Sequence, residues 1–113
     1  MTPVKFHVYT ADLKPSFGTE PGKVRPIVVV QTNLLNEDHP STIVCPITTK
    51  VQPEANVLRI HLKKNEAGLE RDSDIIVDQI RSIDNRRFLD HLGEISDKNK
   101  RLLLASLRIV ILE

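Results

Sequence analysis

The feature that most constrains this chain is the run of β-branched residues Ile27-Val28-Val29-Val30, within a sequence of 113 residues. Branched side chains favour strands, and a run without polar alternation is typical of a strand covered on both faces. The sequence therefore predicts a central, buried strand over residues 27–32. Pro26 stands at its first position, where no ladder donor is lost, and holds Arg25 extended.

The segment before this strand has the composition of an anion-binding loop. Gly18 and Gly22 let the backbone approach a ligand closely, while Lys23 and Arg25 supply donors suited to a phosphate or a carboxylate. We therefore expect a flexible loop that presents positive charge from a rigid base. The alternative for Arg25 is an ion pair with Glu20 at the edge of the strand.

Size and composition predict one domain over residues 1–113, placed in the cytoplasm. Cys45 is the only cysteine, so an intrachain disulfide is excluded and a reducing compartment fits. No apolar run approaches the ~18 residues that a membrane helix needs, so we expect no membrane partner. The net charge of +1 means that binding to nucleic acid must rest on a local cluster of charge.

The remaining pattern predicts a mainly β fold with a C-terminal helix, arranged as a small, curved, mostly antiparallel sheet or barrel. Besides 27–32, strands are expected over 8–13, 42–48, 57–62 and 75–83, whereas 88–95 reads as short and irregular. Pro46 indicates an edge, a bulge or a bend in its strand. Ser96 is expected to cap a helix that runs from about residue 97 to the C-terminus, apolar on more than one face.

Metal and cofactor binding are not predicted. His39, His61 and His91 have no metal-ligand spacing relative to one another or to Cys45. All three histidines are interpreted as solvated or capping residues, with His61 beside Arg59 on the wet face of its strand. Cys45 is interpreted as a core residue.

Short motifs occur in a fixed order along nearly the whole chain. They are Ala11-Asp12-Leu13 followed by Pro15, Gly18-Thr19-Glu20, Lys23-Val24-Arg25-Pro26, the valine run to Gln31 and Asn33, Pro46-Ile47-Thr48, Gly68-Leu69 followed by Asp72-Ser73, and Asp78 to Asp84 followed by Arg87. In this order and spacing the chain resembles the MazF/PemK/Kid toxins of bacterial toxin–antitoxin pairs.

That resemblance implies an SH3-like small barrel of the MazF/CcdB type, a homodimer, and a sequence-specific endoribonuclease that cleaves single-stranded RNA without metal or cofactor. It also implies a cognate antitoxin that competes for the RNA groove. The catalytic pair that it implies is Arg25 and Thr48. Arginine suits a phosphate because its planar fork donates two hydrogen bonds, but its high pKa makes it a poor general base.

The rest of the expected site falls into two groups. The candidates for a base or an orienting group are Glu20 and Asp78, with His7 as an outside candidate. The expected RNA-binding residues are Phe17, Gly18, Thr19, Lys23, Gln79, Arg81 and Arg87. For Arg81, Arg86 and Arg87 the alternative is ion pairing with Asp84 and Asp90.

One departure from the family pattern leaves other functions open. Phe6-His7 stands where most members carry glycine and an acidic residue, which puts the start of the first strand in doubt. An inactive relative that only binds antitoxin or RNA is one alternative. A gyrase poison of the CcdB type is another, although such toxins rely on a C-terminal tryptophan that this chain lacks.

Overall fold

The computed structural model of the protein describes residues 1–14 and 23–113. Within these ranges the chain forms seven strands and two α-helices. They are β1 His7–Asp12, β2 Val24–Val29, α1 Asn33–Asn36, β3 Ser41–Thr48, β4 Arg59–Leu62, β5 Ser73–Ile76, β6 Arg81–Asp84, β7 Phe88–Glu94 and α2 Asp97–Leu112. One-turn 3-10 segments at Glu66–Gly68, Val77–Gln79 and Asn85–Arg87 precede β5, β6 and β7.

The strands pair antiparallel in the order β4-β5-β3-β2-β1-β7, and β6 pairs with β3 outside this path. The predicted central strand is confirmed, although β2 begins and ends three residues earlier than expected, so that Pro26 is its third residue. Ile27 and Val29 are buried in one apolar cluster and Val28 in another. The predicted fold class is therefore confirmed as a mainly β, barrel-like sheet, which is not closed.

The prediction of one long strand over 75–83 was wrong, because a 3-10 turn at Val77–Gln79 divides it into β5 and β6. β5 pairs with the end of β3 at Ile47, and β6 pairs with its beginning up to Val44. Pro46 lies between these two pairings and has no N–H to donate, so the facing chain loops out there. β3 itself runs unbroken through Pro46 and is paired on both sides, so it is not an edge strand, and the interruption lies in the facing chain.

The prediction that 88–95 is irregular was also wrong. β7 is a seven-residue strand that pairs with β1. Its register shifts twice along β1, and most of its side chains are exposed, including Leu89 and His91. Only Phe88 of this strand is buried, so its sequence carries no alternation of buried and exposed apolar residues.

Phe6 adopts the left-handed conformation (φ 71°) immediately before β1, which explains why glycine suits this position. Its backbone N–H donates to Val29 O at 2.7 Å, and its carbonyl accepts from the Ile95 N–H at 3.1 Å. β1 still begins at His7. The aromatic substitution thus leaves the start of the strand in place.

α2 begins as predicted, with the Ser96 hydroxyl accepting from the Asn99 N–H. Leu103 is fully buried, and Leu107 and Val110 pack against the same cluster. Five apolar side chains of α2 remain substantially exposed: Leu102, Leu104, Ile109, Ile111 and Leu112. Among the described helices, none has the length and apolarity required to cross a membrane.

Cys45 is a core residue, as predicted, with no exposed area. Burial, with a smaller effect of the Asp78 charge, raises the pKa of its thiol to about 12. The thiolate is therefore scarce at neutral pH, which makes this cysteine unreactive.

Candidate functional site

Arg25 and Thr48 lie on neighbouring strands at the same end of the sheet. β2 and β3 pair through Ile27 with Pro46, Val28 with Cys45 and Val29 with Val44. Arg25 and Thr48 therefore lie at the same end of two paired strands, each two residues beyond the Ile27–Pro46 pair, and both are half-buried.

Thr48 begins a row of paired residues that crosses the sheet. Thr48 is paired with Asp74 of β5, and Asp74 is paired with His61 of β4. Thr48, Asp74 and His61 therefore succeed one another across the three adjacent strands β3, β5 and β4. Their neighbours along the chain belong to the opposite face: Ile47 before Thr48, Ile75 after Asp74 and Ile60 before His61 are all buried in the core.

Part of the predicted anion-binding loop lies outside the described residues. This applies to Phe17, Gly18, Thr19 and Glu20. Lys23, at the end of that loop, is exposed and left-handed (φ 63°), and its carbonyl accepts from the Leu13 N–H at 2.8 Å. The backbone contact ties the start of β2 to the end of β1 and places Lys23 two residues from Arg25.

Asp78, Gln79 and Arg81 lie on the segment that crosses from β5 to β6. Asp78 is exposed on the 3-10 turn, and Gln79 and Arg81 are half-buried. Arg81 is paired with Val44, four residues from Thr48 along β3. Arg81 therefore lies beside the first half of β3, whereas Thr48 is the last residue of that strand.

The Arg87 side chain, which was predicted to bind RNA, makes hydrogen bonds within the fold. Its Nη1 donates to the carbonyl of Asp12 at 2.9 Å and also to the carbonyl of Lys14. Arg86 instead pairs with Asp84 through two hydrogen bonds of 3.0 Å, which confirms the ion-pair alternative for this one arginine. The same contacts lower the pKa of Asp84 to about 2.

A network of charged side chains around Asp74 was missed in the sequence. Asp74 is fully buried and its Oδ2 accepts from Arg59 Nη1 at 3.2 Å, while its Oδ1 lies 2.7 Å from His61 Nδ1. Arg59 and His61 share one face of β4, as predicted, but only His61 is exposed there, because the Arg59 side chain packs on buried Asp74 and is 13% exposed. An available signal was the acidic residue inside Ser73-Asp74-Ile75-Ile76, since a buried carboxylate requires partners.

A second missed contact joins the ends of β1 and β7. His7 Nδ1 lies 2.9 Å from His91 Nε2, and the two rings lie 5.1 Å apart. Burial lowers the pKa of His7; Glu94 acts in the opposite sense, and His91 and Lys100 lower it further. The pair lies at the opposite end of β1 from the strand position that faces Arg25, which separates His7 from the candidate site.

Some of the open cavities are lined by residues that follow Arg25 or Thr48 in the chain. One of about 540 Å³ is lined by Gln52, Pro53, Glu54 and Ala55, in the loop after Thr48. Another of about 310 Å³ is lined by Thr10, Pro26, Thr49, Gly68, Leu69, Glu70, Arg71, Ser73 and Leu92. Over residues 1–14 and 23–113, no group of three or more His, Cys, Asp or Glu side chains is arranged to hold a metal ion.

Comparison with known proteins decides the family. The sequence model of the PemK-like, MazF-like toxins of type II toxin–antitoxin systems matches residues 5–111. The chain belongs to this family. It is 39% identical over 91 residues to the endoribonuclease EndoA of Bacillus subtilis (strain 168), a match that covers 80% of this chain and 78% of EndoA.

Solved structures agree with this membership at the level of the fold. MazF from Deinococcus radiodurans (Form-I) matches with a TM-score of 0.82 and 21% identity, covering 98% of this chain and 97% of that one. A mycobacterial endoribonuclease in complex with its cognate antitoxin matches with a TM-score of 0.76 and 18% identity, covering 97% and 93%. At these identities the likeness concerns the fold alone.

Proposed function

We propose that this protein is the toxin of a type II toxin–antitoxin pair and acts as a metal-independent, sequence-specific endoribonuclease on single-stranded RNA in the cytoplasm. The observation that supports the proposal is the pairing of β2 with β3, which leaves Arg25 and Thr48 at one end of the sheet, each two residues beyond the Ile27–Pro46 pair. The relationship to EndoA supports the reaction type.

The reaction uses the 2′-hydroxyl of the RNA as its nucleophile. Its oxygen attacks the adjacent phosphorus, the bond to the 5′-oxygen breaks, and a cyclic 2′,3′-phosphate and a 5′-hydroxyl result. One proton leaves the 2′-oxygen and another is delivered to the departing 5′-oxygen. Negative charge grows on the non-bridging oxygens during the attack, and fixed donors aimed at them lower the barrier.

Arg25 and Thr48 supply such donors. The guanidinium of Arg25 donates to the non-bridging oxygens, and its half-buried position limits the screening of its charge by water. The Thr48 hydroxyl accepts from the Lys50 N–H at 3.1 Å, so its own proton is directed away from Lys50 and is available to a phosphate oxygen.

The general base is either Glu20 or Asp78 in this proposal. Glu20 lies outside the described residues. Asp78 is exposed on its 3-10 turn, and its position beside β3 suits contact with an RNA strand that runs along the sheet. Gln79, Arg81, Lys23 and the 17–19 loop complete the proposed RNA surface.

We also propose a homodimer and a peptide-like antitoxin as partners. The exposed apolar side chains of α2 form strips on both sides of its buried face, with Leu102 and Ile109 on one side and Leu104 and Ile111 on the other. An apolar helix surface of this kind is stabilised by association with a second copy. The antitoxin would cover the RNA surface and so inhibit cleavage.

The alternatives from other functional classes receive less support. Family membership and the retained Arg25–Thr48 pair argue against a gyrase poison. The inactive relative rests on Phe6-His7, yet β1 begins at His7 with its pairing to β2 and β7 intact.

The test is incubation of purified protein with a long single-stranded RNA in EDTA, followed by mapping of the new ends. We expect cuts at one short recurring sequence, with cyclic phosphate and 5′-hydroxyl ends. A 2′-deoxynucleotide placed at the cut position should abolish cleavage there. Cleavage that persists at the deoxy position would refute the mechanism, and a folded protein that leaves RNA intact would refute the activity.

A further inference from the structure

The loop that follows Thr48 is fastened at three backbone points by side chains from β4 and β5. Arg59 Nη1 donates to the Lys50 carbonyl at 3.1 Å, the Gln52 N–H donates to Asp74 Oδ2 at 2.8 Å, and His61 Nε2 lies 2.9 Å from the Ala55 carbonyl. Three of the seven residues in 50–56 are thus held by one charged network.

The network is centred on a carboxylate with no access to water. The Asp74 side chain is 0% exposed and that of Arg59 only 13%, whereas that of His61 is 41% exposed. A buried charge is costly unless it is paired and hydrogen-bonded, and here both carboxylate oxygens have partners. Replacement of this cluster by apolar residues is often neutral or stabilising, so stability alone does not account for it.

The position of the network beside Thr48 indicates the function of its side chains. Asp74 is the ladder partner of Thr48, and both polar backbone groups of Lys50 are committed: the N–H to the Thr48 hydroxyl and the carbonyl to Arg59. A shift of Lys50 would release the Thr48 hydroxyl from the contact that directs its proton outward. The same loop carries Gln52 and Glu54, which line the cavity of about 540 Å³.

We propose that Asp74, Arg59 and His61 are positioning residues that hold the Thr48 hydroxyl and the 50–56 loop in the geometry used for RNA cleavage. The inference rests on the proposed function, since the geometry matters only where Thr48 meets RNA. A misplacement of about 1 Å in such a site lowers the rate by up to about 100-fold.

The test variant is Arg59→Met, which keeps the aliphatic stem and removes both donated hydrogen bonds. We expect kcat to fall about 10-fold with KM for RNA changed less than about 2-fold, because phosphate contacts remain while orientation is lost. Arg59→Lys, which keeps the positive charge on a shorter side chain without the planar guanidinium, should recover part of the loss. Glu94→Gln, which removes an ion pair with Lys100 at the other end of the sheet, is the matched control and should cleave like the wild type.

Hydrogen exchange supplies a readout that does not need activity. In Arg59→Met, amide exchange at Lys50 and Gln52 should become at least about 10-fold faster, while Val28 in the core stays protected. If Arg59→Met does not fold, His61→Ala replaces it, since this more exposed side chain holds the loop only at Ala55.

The outcomes separate this inference from the proposed function. Unchanged kcat and unchanged exchange at Lys50 and Gln52 would overturn the inference, as would a fall in kcat matched by a general loss of protection. A wild type that does not cut RNA would overturn the proposed function instead, and the exchange measurement would still show whether the network holds the loop.

Discussion

At Phe6 the chain holds an aromatic side chain in a backbone conformation that favours glycine (φ 71°). The ring packs against the core and has the ammonium groups of Lys5 and Lys100 within 5.1 and 5.7 Å of its centre. These contacts offset a backbone strain of roughly 1–2 kcal/mol.

This strain can be isolated by comparing Phe6→Gly with Phe6→Ala. Both variants lose the ring, but only alanine keeps a Cβ in the left-handed region. We expect Phe6→Gly to be more stable than Phe6→Ala by about 1 kcal/mol in urea unfolding. Equal stability of the two variants would contradict the account of this position.

The lowered pKa of His7 predicts how the free energy of unfolding depends on pH. Its pKa is lowered by burial and by the neighbouring His91 and Lys100, against the effect of Glu94, so the folded chain binds fewer protons there than the unfolded chain. The free energy of unfolding should therefore be highest above the unfolded pKa of about 6.5 and fall as the pH drops below it.

Urea unfolding at pH 7.5 and 5.5 tests this dependence. Replacement of His7 by glutamine removes the titrating group and keeps a side chain that can hydrogen-bond to His91. We expect the loss of stability on acidification to be smaller in His7→Gln than in the wild type. An identical loss in both proteins would assign the effect to other groups.

Among the elements, the Glu66–Gly68 turn is fitted tightly against β7. A Cβ at Gly68 would lie 2.3 Å from the Leu92 carbonyl oxygen, and Gly68 itself is left-handed (φ 74°). Gly68→Ala therefore combines a clash with a strained backbone, and we expect a loss of about 2 kcal/mol or more. Thermal unfolding of Gly68→Ala measures this loss, with Glu70→Ala as an exposed control in the same segment. Equal melting temperatures of the two variants would show that the turn adapts to the added methyl group.

The elements also show what a single sequence could predict. β2 and α2 follow from local patterns, namely the β-branched run and the Ser96 cap with its helical spacing of leucines. The break between β5 and β6 could not be predicted in this way, because it depends on how this segment pairs with the two halves of β3. β7 was missed because its exposed side chains carry no periodic signal.

The candidate site likewise contains residues that the sequence predicted and residues that it did not. Arg25 and Thr48 came from the resemblance of two short motifs to a family, and the pairing of β2 with β3 leaves both at one end of the sheet. The Asp74 network was not predicted, because it depends on the register between β4 and β5. That register sets Asp74 opposite His61 although 12 residues separate them in sequence.

At the scale of the whole molecule, α2 has more apolar surface than its own sheet covers. Leu104 is 44% exposed and Ile111 53% exposed. If this surface joins two copies, the wild type should sediment as a dimer at micromolar concentration, and Leu104→Lys with Ile111→Lys should shift it to monomer. Arg108→Ala is the control on the polar side of the helix; a monomeric wild type would refute the dimer.

The role of Arg25 and Thr48 in cleavage is decided by single-turnover rates measured on RNA in EDTA. The proteins compared are wild type, Arg25→Ala, Arg25→Lys and Thr48→Ala, with the exposed Lys98→Ala as control. We predict a fall of about 10²–10³-fold for Arg25→Ala, because a donor to the transition-state charge is lost. Arg25→Lys should be intermediate and Thr48→Ala clearly impaired, with all variants folded. Near-normal cleavage by folded Arg25→Ala would contradict the assignment of this pair as the reactive centre.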